Sequence, residues 1–389
     1  MASPEDAIRR VIEESLDSRR AEQKSCLAVG VRDPLPVARA DLLYLWDDYR
    51  TEYLDFAAQM NPLGHRPQKV HSQVSDHLRY YGFTAAQGQH LLRWPVSYAS
   101  ALSASFTRPE QEPRRVLFCE GEREAVLAAI RVAASTSYPL PAVAVLGGSY
   151  DWLPSPHIYY PENFDPADAE WDRIRVLLLD LVDASGQPLR PAVVRSWMLA
   201  SREHGVPVVI DESRTGFGRT GTLWGQEHTG LFADLTVLGG PVGGGLPLGA
   251  VVAAPEFFDL HPELLDVSPQ SGHPWACAAG QSVFEEIHPG LLHHVTDSAK
   301  ALIAALDALV AQFPDILTGH HGVGLLRGLR FATSTDAARF PVSVRGRGLH
   351  VAPAVGDTVL LAPPLVASEH EVTRGVDVIA DLLMSWEDA

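Results

Sequence analysis

Two stretches decide how this chain is read: Val206-Pro-Val-Val-Ile-Asp-Glu-Ser-Arg-Thr-Gly-Phe-Gly-Arg-Thr-Gly221 and Leu235-Thr-Val-Leu-Gly-Gly-Pro-Val-Gly-Gly-Gly-Leu-Pro-Leu-Gly-Ala250. Each opens on a short apolar run rich in β-branched residues and passes into glycines, the pattern of a buried strand ending in a tight turn. Asp211 falls at the end of the first strand, and open α/β sheets gather their ligand sites at strand ends of this kind. Working outward, similar runs predict strands at Arg115–Cys119, Ala142–Leu146, Ile174–Leu179, Val206–Ile210, Leu235–Leu238 and Ala250–Ala253. Helices are expected between them. Glu122–Ser135 carries Val126, Ala129, Ile130 and Ala133 on one face, and Pro191–His204 opens with a proline, which a helix tolerates in its first turn. Strands alternating with helices give an α/β fold on a mostly parallel sheet.

The flanks read differently. Beyond Pro274 two helices are expected, the second with Leu302, Leu306, Leu309 and Phe313 on one stripe. The N-terminal part supplies a helix near Pro4–Ser18 and a hairpin over Tyr44–Phe56 that turns at Asp47-Asp48. The proline- and acid-rich span Leu153–Asp172 reads as a long surface loop.

Bulk properties narrow the function classes. With 389 residues, 46% of them hydrophobic, the chain can bury a large core and divide into two domains. Its apolar runs fall short of the ~20 residues of a membrane span, and its first residues lack the apolar core of a signal peptide, so a cytoplasmic protein is expected. A net charge of −17 speaks against nucleic acid as a partner. Cys26, Cys119 and Cys277 are far apart and read as reduced thiols, and the 16 histidines show no metal-ligand spacing on a helix. Gly216–Gly221 satisfies G-x-G-x-x-G, but the sequence after it has no helical pattern, so a dinucleotide site is rejected. No G-x-S-x-G elbow supports a serine hydrolase.

Ordered along the chain, Tyr53-Leu-Asp-Phe56 with Gly64-His65 and Pro67, the two glycine-rich stretches, Gly272-His-Pro-Trp-Ala-Cys-Ala-Ala279, Gly324-Leu-Leu-Arg-Gly-Leu329 and Ala362-Pro-Pro-Leu365 resemble the motifs of class III aminotransferases. The likeness covers nearly the whole chain and implies the fold-type-I architecture of pyridoxal phosphate (PLP) enzymes. It implies a segment over residues 1–55 that joins the small domain, a large PLP-fold domain over 56–284, and 285–389 completing a smaller α+β domain built from both termini. A homodimer with a shared active site, acting on a small molecule, is also implied. By the same resemblance Asp211 accepts the pyridine N–H, Tyr150 stacks on the ring, and Gly121, Glu122 and Arg123 stand where the phosphate is held at a helix N-terminus.

The departures from the family's pattern are as informative. The lysine that forms the Schiff base is replaced by Gly240, and the chain's three lysines, Lys24, Lys69 and Lys300, lie far from both motifs in sequence. Glu122 stands where a hydroxyl is usual, Pro269 where the partner subunit's threonine belongs, and Leu360 where an arginine grips the substrate carboxylate. Ser268 or Ser271 is a candidate substitute for the threonine. Asp180 and Leu181 replace a Glu-Pro pair. Ordinary transamination is therefore not expected. Two functional expectations follow. The first is a repurposed biosynthetic enzyme of lyase or dehydratase type that holds PLP or its amine form (PMP) non-covalently, with His273 and Tyr150 as candidate bases and a void at Gly240. The second is a cofactor-free site lined by Asp211, Glu212, Arg214, Tyr150 and His273, or a non-catalytic partner.

Overall fold

The computed structural model describes residues 9, 11–19, 21, 35–81, 91–108, 112–135, 141–148, 150–259, 265 and 267–386. Residues 9 and 11–19 are helical, in keeping with the expected N-terminal helix, while Lys24 and Cys26 lie outside the described residues. In chain order the strands are β1 (Val37–Asp41), β2 (Tyr44–Asp47), β3 (Glu52–Asp55), β4 (Arg115–Cys119), β5 (Val143–Leu146), β6 (His157–Tyr159) and β7 (Val176–Asp180). They continue as β8 (Val208–Asp211), β9 (Leu235–Leu238), β10 (Gly249–Ala253), β11 (Leu317–Val323), β12 (Leu326–Phe331), β13 (Leu349–His350) and β14 (Thr358–Leu361).

The central sheet runs β4-β10-β9-β8-β7-β5-β6. Its strands from β9 to β6 pair in parallel, while β10 is antiparallel to both β9 and β4. Because neighbouring parallel strands end together, Asp180 and Asp211 are register partners at one edge of the sheet. Observed boundaries differ from the expected ones by one or two residues. The substantive correction is β6, a three-residue edge strand inside the stretch read as loop; its proline-flanked, partly exposed sequence has too little periodicity to declare it.

Helices cover both faces of this sheet, which is why its strands are apolar throughout rather than alternating. The helices are α1 (Gln68–Tyr81), α2 (Arg93–Phe106), α3 (Glu122–Ala133), α4 (Pro191–Glu203), α5 (Pro255–Asp259), α6 (Pro274–Glu286), α7 (Pro289–Gln312), α8 (Ser334–Arg345) and α9 (Glu369–Leu383). On one face Val126 and Ile130 of α3 pack on Val176, Leu178, Val209 and Val237. On the other, Val194, Trp197 and Met198 of α4 pack on Leu177, Leu179, Val208 and Ile210. Each such side chain contributes about 1.5–3 kcal/mol on full burial, so the strand ends rest on a rigid platform.

The two ends of the chain meet in a separate core. β11, β12 and β14 form an antiparallel sheet whose Leu329, Phe331, Val359 and Leu361 pack with Leu302, Leu306 and Leu309 of α7 and with Leu54 and Phe56 from the N-terminal hairpin. Between this core and the central sheet lies Arg219, fully buried, whose guanidinium donates to the carbonyls of Ala58 (3.1 Å), Leu325 (3.1 Å) and Pro363 (2.5 Å). Thus the glycine-rich run 216–221 supplies a clasp rather than a phosphate loop. No helix among the described residues is long and apolar enough to cross a membrane.

Candidate functional site

Asp211, Asp180 and the turn after β9 come out at the same edge of the sheet, beside the first turn of α3. Asp211 is buried, and both of its carboxylate oxygens accept hydrogen bonds. Oδ1 takes the Ser213 N–H at 2.9 Å and the Ser213 hydroxyl at 2.5 Å, and Oδ2 takes the Tyr150 hydroxyl at 3.0 Å. Tyr150 therefore points its phenol end-on at Asp211. Its own backbone N–H donates to the Tyr159 hydroxyl at 2.6 Å, so the unexpected strand β6 helps to fix it. Burial pushes the Asp211 carboxyl upward, against the hydrogen bonds from Ser213 that favour its charge.

Arg214 turns to the neighbouring strand. Its guanidinium pairs with Asp180 at 2.5 Å and donates to the carbonyls of Val182 (2.9 Å) and Asp183 (2.7 Å). Burial and then the charge of Asp211 push Asp180 up to about 6 despite that partner. Burial works against the charge of Arg214, but Asp180 outweighs it and holds the guanidinium protonated.

Glu122 is the first residue of α3, after Gly121 at the cap position, and its side chain packs beside Gly239 and Ser213. Burial, then the charges of Asp211 and Asp180, push its carboxyl up to about 7. Unlike those two aspartates, it receives no hydrogen bond from any described residue. Arg123 faces away, with its guanidinium 5.1 Å from the centre of the Trp152 ring. Ser268 and Ser271 are held within the chain: the Ser268 N–H and the Ser271 hydroxyl donate to Glu124 at 2.8 and 3.1 Å, and the Ser268 hydroxyl donates to Glu120 at 2.5 Å.

Gly240 begins a short 3-10 turn, Gly240–Gly243, with φ of 49°, a left-handed conformation that side chains with a Cβ disfavour. The turn is pinned from below: Tyr98 on α2 donates its hydroxyl to the Val242 carbonyl at 2.9 Å. Gly280 on α6 has no side chain because that same carbonyl sits where its Cβ would be. The expected void at Gly240 is not there. A Cβ built on this residue falls onto Sδ of Met60, a flexible, 41% exposed side chain that caps the position. Lys69 pairs on the surface with Glu285 and Glu286, and Lys300 with Asp297.

Other residues marked by sequence are occupied elsewhere. His273 is the N-cap of α6, its Nδ1 accepting the Trp275 N–H at 3.3 Å, with its ring against Trp275; burial lowers its pKa. Glu212 lies under the site rather than in it, accepting from the Thr215 hydroxyl (2.6 Å) and the N–H groups of Gly225 (2.9 Å) and Gln226 (2.8 Å). Leu360 joins Val182, Leu326 and Ala362 in an apolar cluster, so no cation stands in its place. Sequence reasoning noticed Asp180 only as a departure; its position at a strand end, one strand from Asp211, was the signal that it belonged here. Met60 gave no signal, being distant in sequence from Gly240.

Residues 190–383 match the sequence model described as aminotransferase class-III. The chain is 27% identical over 395 residues to an acetylornithine aminotransferase of a Synechocystis species, covering 90% of this chain and 89% of that protein. It is 29% identical over 377 residues to one from Streptomyces coelicolor, covering 90% and 91%. Among solved structures, acetylornithine aminotransferase from Elizabethkingia anophelis superposes with a TM-score of 0.82 at 20% identity, covering 96% of this chain and 99% of that one. An S-selective transaminase from an Arthrobacter species gives 0.84 at 19%, with the same coverage. At that identity the structural likeness speaks to the fold alone.

Proposed function

We propose that this chain is a divergent member of the class-III aminotransferase family, a PLP-dependent fold, that keeps the architecture but has turned the cofactor site into a cofactor-free acid–base pocket. That pocket comprises Glu122, Tyr150, Asp180, Asp211 and Arg214. The observation that carries this is the engagement of Asp211, whose charge is already met by the Tyr150 hydroxyl on one oxygen and by the Ser213 N–H and hydroxyl on the other. The residues present do not fit PLP. Position 240 offers no amine and is covered by Met60. A phosphate dianion at the start of α3 would meet the Glu122 carboxylate, and the nearby serine hydroxyls are committed to Glu120 and Glu124.

The first expectation, PLP or PMP held without a covalent bond, requires a pyridine N–H to share Asp211 with Tyr150 and the Glu122 carboxyl to withdraw from the start of α3. In the pocket as built, Glu122 is the group suited to move a proton, because its carboxyl titrates near neutrality and is not tied to a donor. Arg214, with N–H groups left after Asp180, Val182 and Asp183, is the hydrogen-bond donor of the pocket, and Asp180 and Asp211 hold Arg214 and Tyr150 in place. We also propose a homodimer, in which the exposed Leu91, Val96 and Leu246 would be covered, and retain 56–284 as the large domain.

The test is a near-UV and visible spectrum of the purified protein with excess PLP or PMP, with calorimetric titration alongside. Neither cofactor is expected to bind. Binding without an aldimine band would restore the non-covalent alternative, and an aldimine band that borohydride reduces would restore ordinary amino-group transfer.

A further inference from the structure

Behind the loop that grips Arg214 lies a second concavity, of about 420 Å³. Its walls are Leu181, Val182, Leu189 and Val194, and Thr215 and Gly225 form part of its floor. Both floor residues have already committed their donors, the Thr215 hydroxyl and the Gly225 N–H, to Glu212 beneath them. The walls are accordingly apolar. Gln187, Thr220, His228 and Thr229 also line the space, and Arg190 is its permanently charged side chain. That side chain is 67% exposed and spends only Nε on Glu162, at 2.9 Å. Its two terminal nitrogens have no partner among the described residues.

An apolar chamber of this size, with one incompletely paired guanidinium beside it, matches an amphiphile carrying a single planar anion. We propose that this cavity binds a small monocarboxylic acid with an aromatic or branched aliphatic body, its carboxylate on Arg190 and its body against Leu181, Leu189 and Val194. A neutral guest would leave the guanidinium unpaired. A cationic one would be repelled by it, and a dianion would find a single guanidinium, already shared with Glu162.

The location has a structural consequence. Val182 lines the chamber with its side chain's surroundings while its carbonyl, with that of Asp183, holds Arg214. An occupied chamber therefore braces the loop that follows Asp180 at the end of β7. The inference does not depend on how that pocket works, since it rests on a different set of side chains.

The experiment is fluorine NMR of para-fluorophenylacetate and of its neutral primary amide, each titrated against the full-length protein. The acid is expected to bind at least ten-fold more tightly than the amide, a margin of the order given by one charge-assisted contact. Arg190→Gln, at an exposed position, brings the acid down to the amide's affinity and leaves the amide unchanged. Leu189→Trp fills the chamber and removes both. Should that variant fail to fold, Arg190→Gln decides alone. Equal affinities for acid and amide, no binding of either, or an acid affinity that survives Arg190→Gln overturns the proposal. So does an acid whose affinity responds to Arg214→Gln instead, since it would sit in the acid–base pocket.

Discussion

Gly240 and Met60 form a pair whose energetics can be worked out in advance. Gly240→Ala places a Cβ on a backbone with φ of 49°, and a left-handed residue of this kind costs an L-amino acid roughly 1–2 kcal/mol. The new methyl also lands on Sδ of Met60 and must push it aside. Full burial of a methionine side chain is worth about 1.5–3 kcal/mol, so a Met60 that is 41% exposed has about 1 kcal/mol of contact to lose. Gly240→Ala should therefore destabilise by about 2 kcal/mol and Met60→Ala by about 1 kcal/mol. In the double variant the Met60 contacts are lost only once, so the total stays near 2 kcal/mol and the coupling is about 1 kcal/mol. Urea unfolding of all four proteins at matched slopes measures this directly. Strict additivity, or a Gly240→Ala variant as stable as the parent, would show that Met60 does not occupy the position from which a side chain at 240 must leave. Gly240→Lys in the Met60→Ala background then tests the chemistry: with Glu122 standing at the start of α3, where the phosphate would lie, PLP is not expected to bind and no aldimine band should appear.

Tyr150→Phe removes a hydrogen bond to a buried carboxylate and should cost about 1.5–3 kcal/mol; calorimetry should show no gain of PLP binding, because Glu122 remains. Arg219→Met strips the donor from the carbonyls of Ala58, Leu325 and Pro363, with an expected loss of about 3–5 kcal/mol in urea unfolding, partly restored by Arg219→Lys. A loss within experimental error would remove the clasp from the account. The pH dependence has a definite sign: burial raises Glu122 from its ordinary 4.5 to about 7, so the native state keeps a proton that the unfolded chain has released. Its contribution to stability is whole below that ordinary value and is lost as pH rises through about 7. Glu122→Gln should thus gain on the parent protein between about pH 5 and pH 8, and a gap that narrows over that interval refutes the assignment.

How far the sequence reaches is instructive at each of these residues. The parallel strands and the helices on both faces were legible because their burial is written as continuous apolar runs and a helical stripe, and Asp211 because a strand end is a local signal, whereas Gly240 stood out only through the resemblance to the aminotransferase motif. Partnership is not local. Tyr150 and Asp211 are 61 residues apart, and nothing in either neighbourhood distinguishes a tyrosine that lies across a ring from one that points its hydroxyl at the carboxylate. The same holds for Arg214, an evident cation whose choice of Asp180 over a ligand depends on the pairing of two strands. From sequence, the retained Asp211 favoured a bound pyridine, since the residue has little reason to persist once no ring needs it. In the folded chain the donors of Tyr150 and Ser213 give the carboxylate such a reason. A retained aspartate therefore does not require that a ring nitrogen still sits against it.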